Sequence, residues 1–149
     1  MAYTIVKFVH ILLAIVAVGF NVSYSVWFAR AATDRQHLEF ALKGVKFLDD
    51  TFANPAYILL MVSGVLMVWI GHLSLTTFWI GAAFILWAVA ILVGYLVYTP
   101  ALRQQIAALQ QSGADSADYR AVNTRGTVAG AILGVLVLLI LLLMVFKPT

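Results

Sequence analysis

Apolar residues occupy this chain in four long runs, at about residues 4–29, 52–72, 75–99 and 126–146. Each run is close to the roughly 20 residues that a helix needs to cross a hydrocarbon core at about 1.5 Å per residue. The pattern predicts an all-α fold, a four-transmembrane-helix bundle forming a single integral membrane domain over residues 1–149. The first run, KFVHILLAIVAVGFNVSYSVWFAR from Lys7 to Arg30, is not uniformly apolar. His10, Ala14, Ala17, Asn21 and Tyr24 recur at helical spacing and gather small and polar groups on one stripe. An imidazole or a carboxamide is costly in hydrocarbon, so this stripe is predicted to look into the bundle, toward protein, water or a cofactor.

The connections carry their own patterns. AATDRQHLEFALKGVKFLDDTFANP separates the first two runs, and its Leu38, Ala41, Leu42, Val45 and Leu48 recur at helical spacing. They predict a short amphipathic helix outside the hydrocarbon, able to continue into the second span. Pro55 then marks either a kink or a first helical turn, with Asn54 placed to cap. Only GHLSL joins runs two and three, which dictates an antiparallel hairpin. Beyond Tyr98-Thr99-Pro100 the sequence RQQIAALQQSGADSADYRAVNTR turns polar, and its middle, from Gln110 to Asp118, reads as a mobile loop. Gly126, Gly130 and Gly134 open the fourth run as a small-xxx-small row on which another helix can pack closely. That helix would come from a second copy in a homo-oligomer or from a larger membrane complex.

Composition agrees with the pattern. At 64% hydrophobic residues, 10% charged residues and a mean hydropathy of +1.02, the chain belongs with membrane proteins. The lack of cysteine excludes disulfides, thiolate metal sites and a cysteine nucleophile. The first segment lacks the short apolar core and small-residue cleavage site of a removable signal, so it is expected to stay as a span. Of nine Lys and Arg residues, Arg30, Arg35, Lys43, Lys46, Arg103, Arg120 and Arg125 fall in the first and third connections, against Lys7 and Lys147 on the other side. By the positive-inside tendency, those connections are expected in the cytoplasm and both termini outside. The basic residues do not cluster as nucleic-acid binding requires, and no Walker loop, GxGxxG, HExxH or GxSxG turn occurs.

Two groups of residues are candidates for chemistry. Near the outer level lie His10, His72, Met144 and Lys147. Haem b takes His, or His with Met, as axial ligands, and a four-helix bundle is a natural scaffold for it. His10 is the candidate axial ligand, with Met144, His72 or Met67 as second ligand or neighbour. The plain alternatives are a buried His10 hydrogen-bonded to another span, a solvated His72, and Met61 and Met67 packing beside Gly64. At the cytoplasmic level Arg30, Asp49, Asp50, Asn54 and Arg103 come together, with Asn21, Tyr24 and Tyr57 slightly deeper. The adjacent carboxylates repel unless Arg30 or Arg103 stands near, which makes either a salt-bridged helix corner or a port for protons or anions. Trp27, Trp69, Trp79 and Tyr98 lie near span ends, whereas Trp87 falls mid-span and its indole N–H needs a partner.

With these residues in view, the chain resembles the bacterial DUF2269 family of predicted integral membrane proteins. The resemblance rests on KFVHILLAIVAVG, FLDDTFANPAYILLMVSGVLMV, Phe78-Trp79-Ile80 and the terminal MVFKP, and covers all four spans. It implies a multi-pass protein of the bacterial inner membrane and carries no biochemical activity with it. More distantly the chain is similar to HemJ-type protoporphyrinogen oxidases and CopD-type copper-resistance proteins. By that likeness His10 would match a haem-associated histidine and Lys147 a terminal lysine. HemJ-type proteins carry an arginine late in the first helix, where this chain has Ser25, Val26 and Trp27, with Arg30 a turn beyond. The expected function is a small haem-associated membrane protein working through His10. The alternatives are a structural or accessory subunit, and a small transporter or proton-coupled channel using Asn21, Tyr24, Asp49 and Asp50.

Overall fold

The computed structural model describes residues 1–148. Helix α1 spans Ala2–Thr33, and a 3-10 turn at Arg35–His37 leads into α2, Leu38–Leu48. A π-helical turn, Asp49–Ala53, joins α2 to α3, Asn54–Ile70. Helix α4 covers Phe78–Val93, and a second π turn, Gly94–Tyr98, passes it into α5, Thr99–Ser112; α6 runs over Ala117–Phe146. No strand occurs among the described residues. Four continuous helices, Ala2–Thr33, Arg35–Ile70, Phe78–Ser112 and Ala117–Phe146, are long and apolar enough to cross a membrane.

Both π turns stand just ahead of a proline. Pro55 and Pro100 lack the N–H that an interior helical position donates, and their rings crowd the carbonyl one turn back. A widened turn relieves the crowding without ending the helix. The wide bonds run from the Asn54 N–H to the Asp49 carbonyl and from the Thr99 N–H to the Gly94 carbonyl. Pro55 therefore sits in the first turn of α3, as expected, without interrupting the longer helix, while Asn54 is itself helical and does not cap it. Leu38–Leu48 is the first arm of a 36-residue helix that continues through the second span.

The third connection corrects the expected mobile loop. α5 continues unbroken to Ser112, and the turn is confined to the few residues before α6. Ala101 and Leu102 are buried on α5, and of the residues that suggested a loop, Gln110, Gln111 and Ser112 close α5 while Asp118 lies in the first turn of α6. Gly113, at φ +80°, stops the helix in a conformation that suits glycine. Ser116 Oγ then accepts the Tyr119 N–H at 3.1 Å and caps α6.

The helices form two hairpins. α1 lies antiparallel on α3 and touches α2, while α4 and α5 lie on α6. The hairpins join chiefly where α2 meets α5, with a smaller contact between α1 and α6. The buried core lies at that junction: Leu42, Val45, Ala53, Tyr98 and Leu102, with Tyr24, Tyr119 and Ala129 around them. This is the polar end of the molecule, carrying the two longer connections. The termini and the α3–α4 turn form the other end.

Candidate functional site

The stripe on α1 meets α3. A Cβ placed on Gly71 would stand 2.8 Å from the Tyr3 ring, and one on Gly64 would stand 3.5 Å from the His10 imidazole. Seven residues back along α3 thus match seven forward along α1, the register of an antiparallel pair. His10 Nδ1 and Ser63 Oγ form a hydrogen bond of 2.8 Å, and Ser63 Oγ also donates to the Leu59 carbonyl at 2.7 Å. Farther along, Asn21 Nδ2 donates to the Ala17 carbonyl at 2.9 Å and to the Tyr57 hydroxyl. Between these polar stations the seam is closed by small residues, with Ala17 and Ala56 both buried. From position 10 to position 21 the rise is about 16 Å at 1.5 Å per residue.

At the polar end the seam reaches Asp49, which is 4% exposed. Its Oδ2 accepts from Thr99 Oγ1 at 3.2 Å and from Asn54 Nδ2 at 3.3 Å. Thr99 follows the second π turn, so one carboxylate ties the two hairpins together at their two wide turns. Neither Arg30 nor Arg103 supplies the expected cation. Lys46 pairs instead with Asp50, one helical turn along, because an i to i+4 spacing puts both on one face. Among the described residues no Lys or Arg lies within ion-pair distance of Asp49. The Tyr24 hydroxyl is also buried here and has no hydrogen-bond partner. Its ring belongs to the same buried cluster as Val45, Ala53 and Tyr98.

The expected cluster of Asn21, Tyr24, Asp49 and Asn54 with Tyr57 is therefore one place in the fold, while Arg30 and Arg103 are exposed outside it. Thr99 and Tyr98 belong to it, although the sequence marked them only as a span end. Their signal was Thr99-Pro100, a second X-Pro step matching Asn54-Pro55. A neighbouring polar pair, Gln105 Nε2 donating to Asn123 Oδ1 at 2.6 Å, links α5 to α6. Both residues lie in the polar third connection, on either side of the stretch expected to be a loop, and the sequence did not single them out.

The outer residues are arranged differently. A Cβ on Gly64 would stand 3.5 Å from the His10 ring, and Met67 lies one turn farther along α3 from Gly64. His72 is exposed in the α3–α4 turn with φ +49°, and Met144 is half-buried in the last turn of α6. Lys147 Nζ lies 5.4 Å over the Trp79 ring, a cation–π contact that joins the ends of α6 and α4. Trp87 Nε1 is buried without a partner. No group of three or more His, Cys, Asp or Glu residues suited to a metal ion occurs among the described residues.

The glycine row also finds its partners within the chain, contrary to its expected use between copies. A Cβ on Gly126 would meet Gln105 Oε1 at 3.5 Å, and one on Gly130 would meet the Tyr98 ring at 3.4 Å. Both glycines admit the second π turn and α5 against α6; only Gly134 faces open space.

These features define a four-span α-helical integral membrane protein with a polar junction between its two hairpins. The chain belongs to the DUF2269 family of predicted integral membrane proteins, whose family model matches residues 4–148. No curated protein and no solved structure matches it.

Proposed function

We propose that this protein is a small proton-coupled transport protein whose proton-carrying group is the Asp49 carboxyl. The observation that supports this reading most strongly is a buried carboxylate, held by Thr99 and Asn54 across the two hairpins and unpaired with any cation among the described residues. A lone buried charge is expensive, and gaining a proton is the ordinary way to remove it. Ionisable groups at membrane depth commonly lie on such pathways. Asn21, Tyr57 and Tyr24 extend the polar surface from Asp49 toward the His10–Ser63 pair. The seam of Ala17 and Ala56 separates the two stations, which is the barrier an alternating carrier needs. The basic connections orient the Asp49 end toward the cytoplasm of a bacterial inner membrane.

Haem association through His10 receives less support, since the imidazole is bonded to Ser63 and packed on Gly64. The test of the proton reading is flux. In proteoliposomes with an imposed potential, internal acidification should exceed that of protein-free vesicles and fall to their level in Asp49→Asn. Flux unchanged by Asp49→Asn would overturn the reading.

A further inference from the structure

The end of the molecule formed by the termini and the α3–α4 turn carries Lys7 and Lys147 but no acidic side chain. Asp34, Glu39, Asp49, Asp50, Asp115 and Asp118 all belong to the opposite, polar end. Lys147 is exposed, and its Nζ lies 5.4 Å over the Trp79 ring. A ring engages one side of an ammonium and leaves it further donors. Beside this pair a groove of about 390 Å³ runs between α4 and α6, lined by Phe78, Ala82, Ile85 and Leu86 from one helix and by Leu139 and Leu143 from the other. Phe78 and Ile85 are exposed along it. Trp79 adjoins Phe78, and the Lys147 N–H bonds to the Leu143 carbonyl at 3.0 Å, so both residues stand at the mouth of the groove. From Phe78 to Leu86 the rise is about 12 Å. One leaflet of hydrocarbon is about 15 Å deep. The groove thus reaches from the interface, where tryptophan and lysine settle, toward the midplane.

We propose that this groove holds one acyl chain of an anionic phospholipid, phosphatidylglycerol being the representative, whose phosphate rests on the Lys147 ammonium. The lining is wholly apolar, which suits a hydrocarbon chain, and its depth is close to that of one leaflet. Charge selects the headgroup. No carboxylate side chain of this protein lies at that end to balance Lys147, and a lipid phosphate supplies the missing negative charge. A zwitterionic lipid brings its own ammonium beside the phosphate and offsets the attraction, so the site favours a lipid with net negative charge. Charge also argues against a second copy of the chain as the occupant. In the same orientation it would bring only Lys7 and Lys147 to this level, setting like charge against like.

The experiment reads quenching of tryptophan fluorescence in the full chain, reconstituted in phosphatidylcholine vesicles that contain either brominated phosphatidylglycerol or brominated phosphatidylcholine. The exposed Trp27 is replaced by Phe throughout, so that lipid gathered by the basic connections goes unseen. Brominated phosphatidylglycerol should quench as though bound about fivefold more tightly, the scale of one lysine acting on an anionic headgroup. Lys147→Gln should bring the two lipids to parity, and Lys147→Arg should keep the preference. Ala82→Phe, which fills the groove and spares the charge, should also abolish it, whereas Lys7→Gln should leave it intact. Equal quenching by the two lipids before any change at Lys147, or a preference that survives Lys147→Gln, would overturn the proposal. Quenching that shows no headgroup preference and rises as the protein is diluted into lipid would overturn it too, and would place a second copy of the chain in the groove.

Discussion

Thr99 Oγ1 donates a hydrogen bond to Asp49 Oδ2 across 3.2 Å, joining residues 50 positions apart in sequence. Each belongs to the edge of a π turn, and each turn precedes a proline. Thr99→Val keeps the shape of the side chain and deletes the donor. Hydrogen bonds to a charged group contribute about 1.5–3 kcal/mol, and Asn54 remains, so a loss of about 1–2 kcal/mol is expected. Thr99→Ser should recover most of it. Unfolding in mixed micelles measures both, and a Thr99→Val protein as stable as the wild type would remove the link between the hairpins.

The His10–Ser63 contact is the corresponding link within the first hairpin. His10→Ala and Ser63→Ala should each destabilise the protein, and a double-mutant cycle should return a coupling of about 0.5–1.5 kcal/mol, typical of polar pairs between membrane helices. The absorption spectrum of protein purified from haem-replete cells should show no Soret band that depends on His10. Such a band, lost in His10→Ala, would reinstate the ligand role.

Three glycines should respond differently to one methyl group. Gly71→Ala places a Cβ 2.7 Å from the Met67 carbonyl and 2.8 Å from the Tyr3 ring, and should cost about 1–3 kcal/mol as an overpacked contact. Gly130→Ala meets the Tyr98 ring at 3.4 Å and should cost less. Gly134→Ala meets nothing and should be neutral or slightly stabilising, since alanine is the better helix former. Thermal midpoints of the three variants check the order. A strongly harmful Gly134→Ala would point to a helix from outside the chain.

At the polar surface, the hydrogen bond from Arg35 holds the Asp115 carboxyl below the usual carboxylate range. A lowered folded-state value gives a contribution that is present above the ordinary carboxylate value of about 4 and disappears as pH falls through the lowered one. Both side chains are exposed, at 61% and 84%. The pair should therefore matter little. Asp115→Asn should leave the melting temperature near neutral pH almost unchanged, and any difference should vanish in roughly 1 M choline chloride, where the Debye length is about 3 Å. A large, salt-resistant loss would show the contact to be structural.

The four spans were legible because apolar runs of bilayer length have few other uses, and the α1 stripe because 3.6-residue periodicity survives in a greasy helix. Continuity was legible at Pro55, where the short helix was expected to be able to run into the second span, but not at Pro100, where a π turn absorbs the proline and the helix continues into polar sequence. In α5 the spacing of Leu102, Ile106 and Leu109 was helical, but the surrounding Gln and Ser residues masked it. Asp49, Asn54, Tyr24 and Asn21 were visible as a cluster. The role of Thr99 was not, because sequence alone does not say that two X-Pro steps from different hairpins share one level. The cation for Asp50 was misassigned to Arg30 or Arg103 when Lys46, four residues away on the same helix, was the nearer choice.

The central claim is that Asp49 is a carboxyl that gains and loses a proton inside the junction. Infrared difference spectroscopy of the reconstituted protein, between acid and neutral buffers with choline as the salt, observes that event directly. A protonated-carboxyl stretch at the high frequency typical of a dry site should appear on acidification, and it should be missing in Asp49→Asn and retained in Asp50→Asn. A spectrum that is the same in wild type and Asp49→Asn would contradict the account.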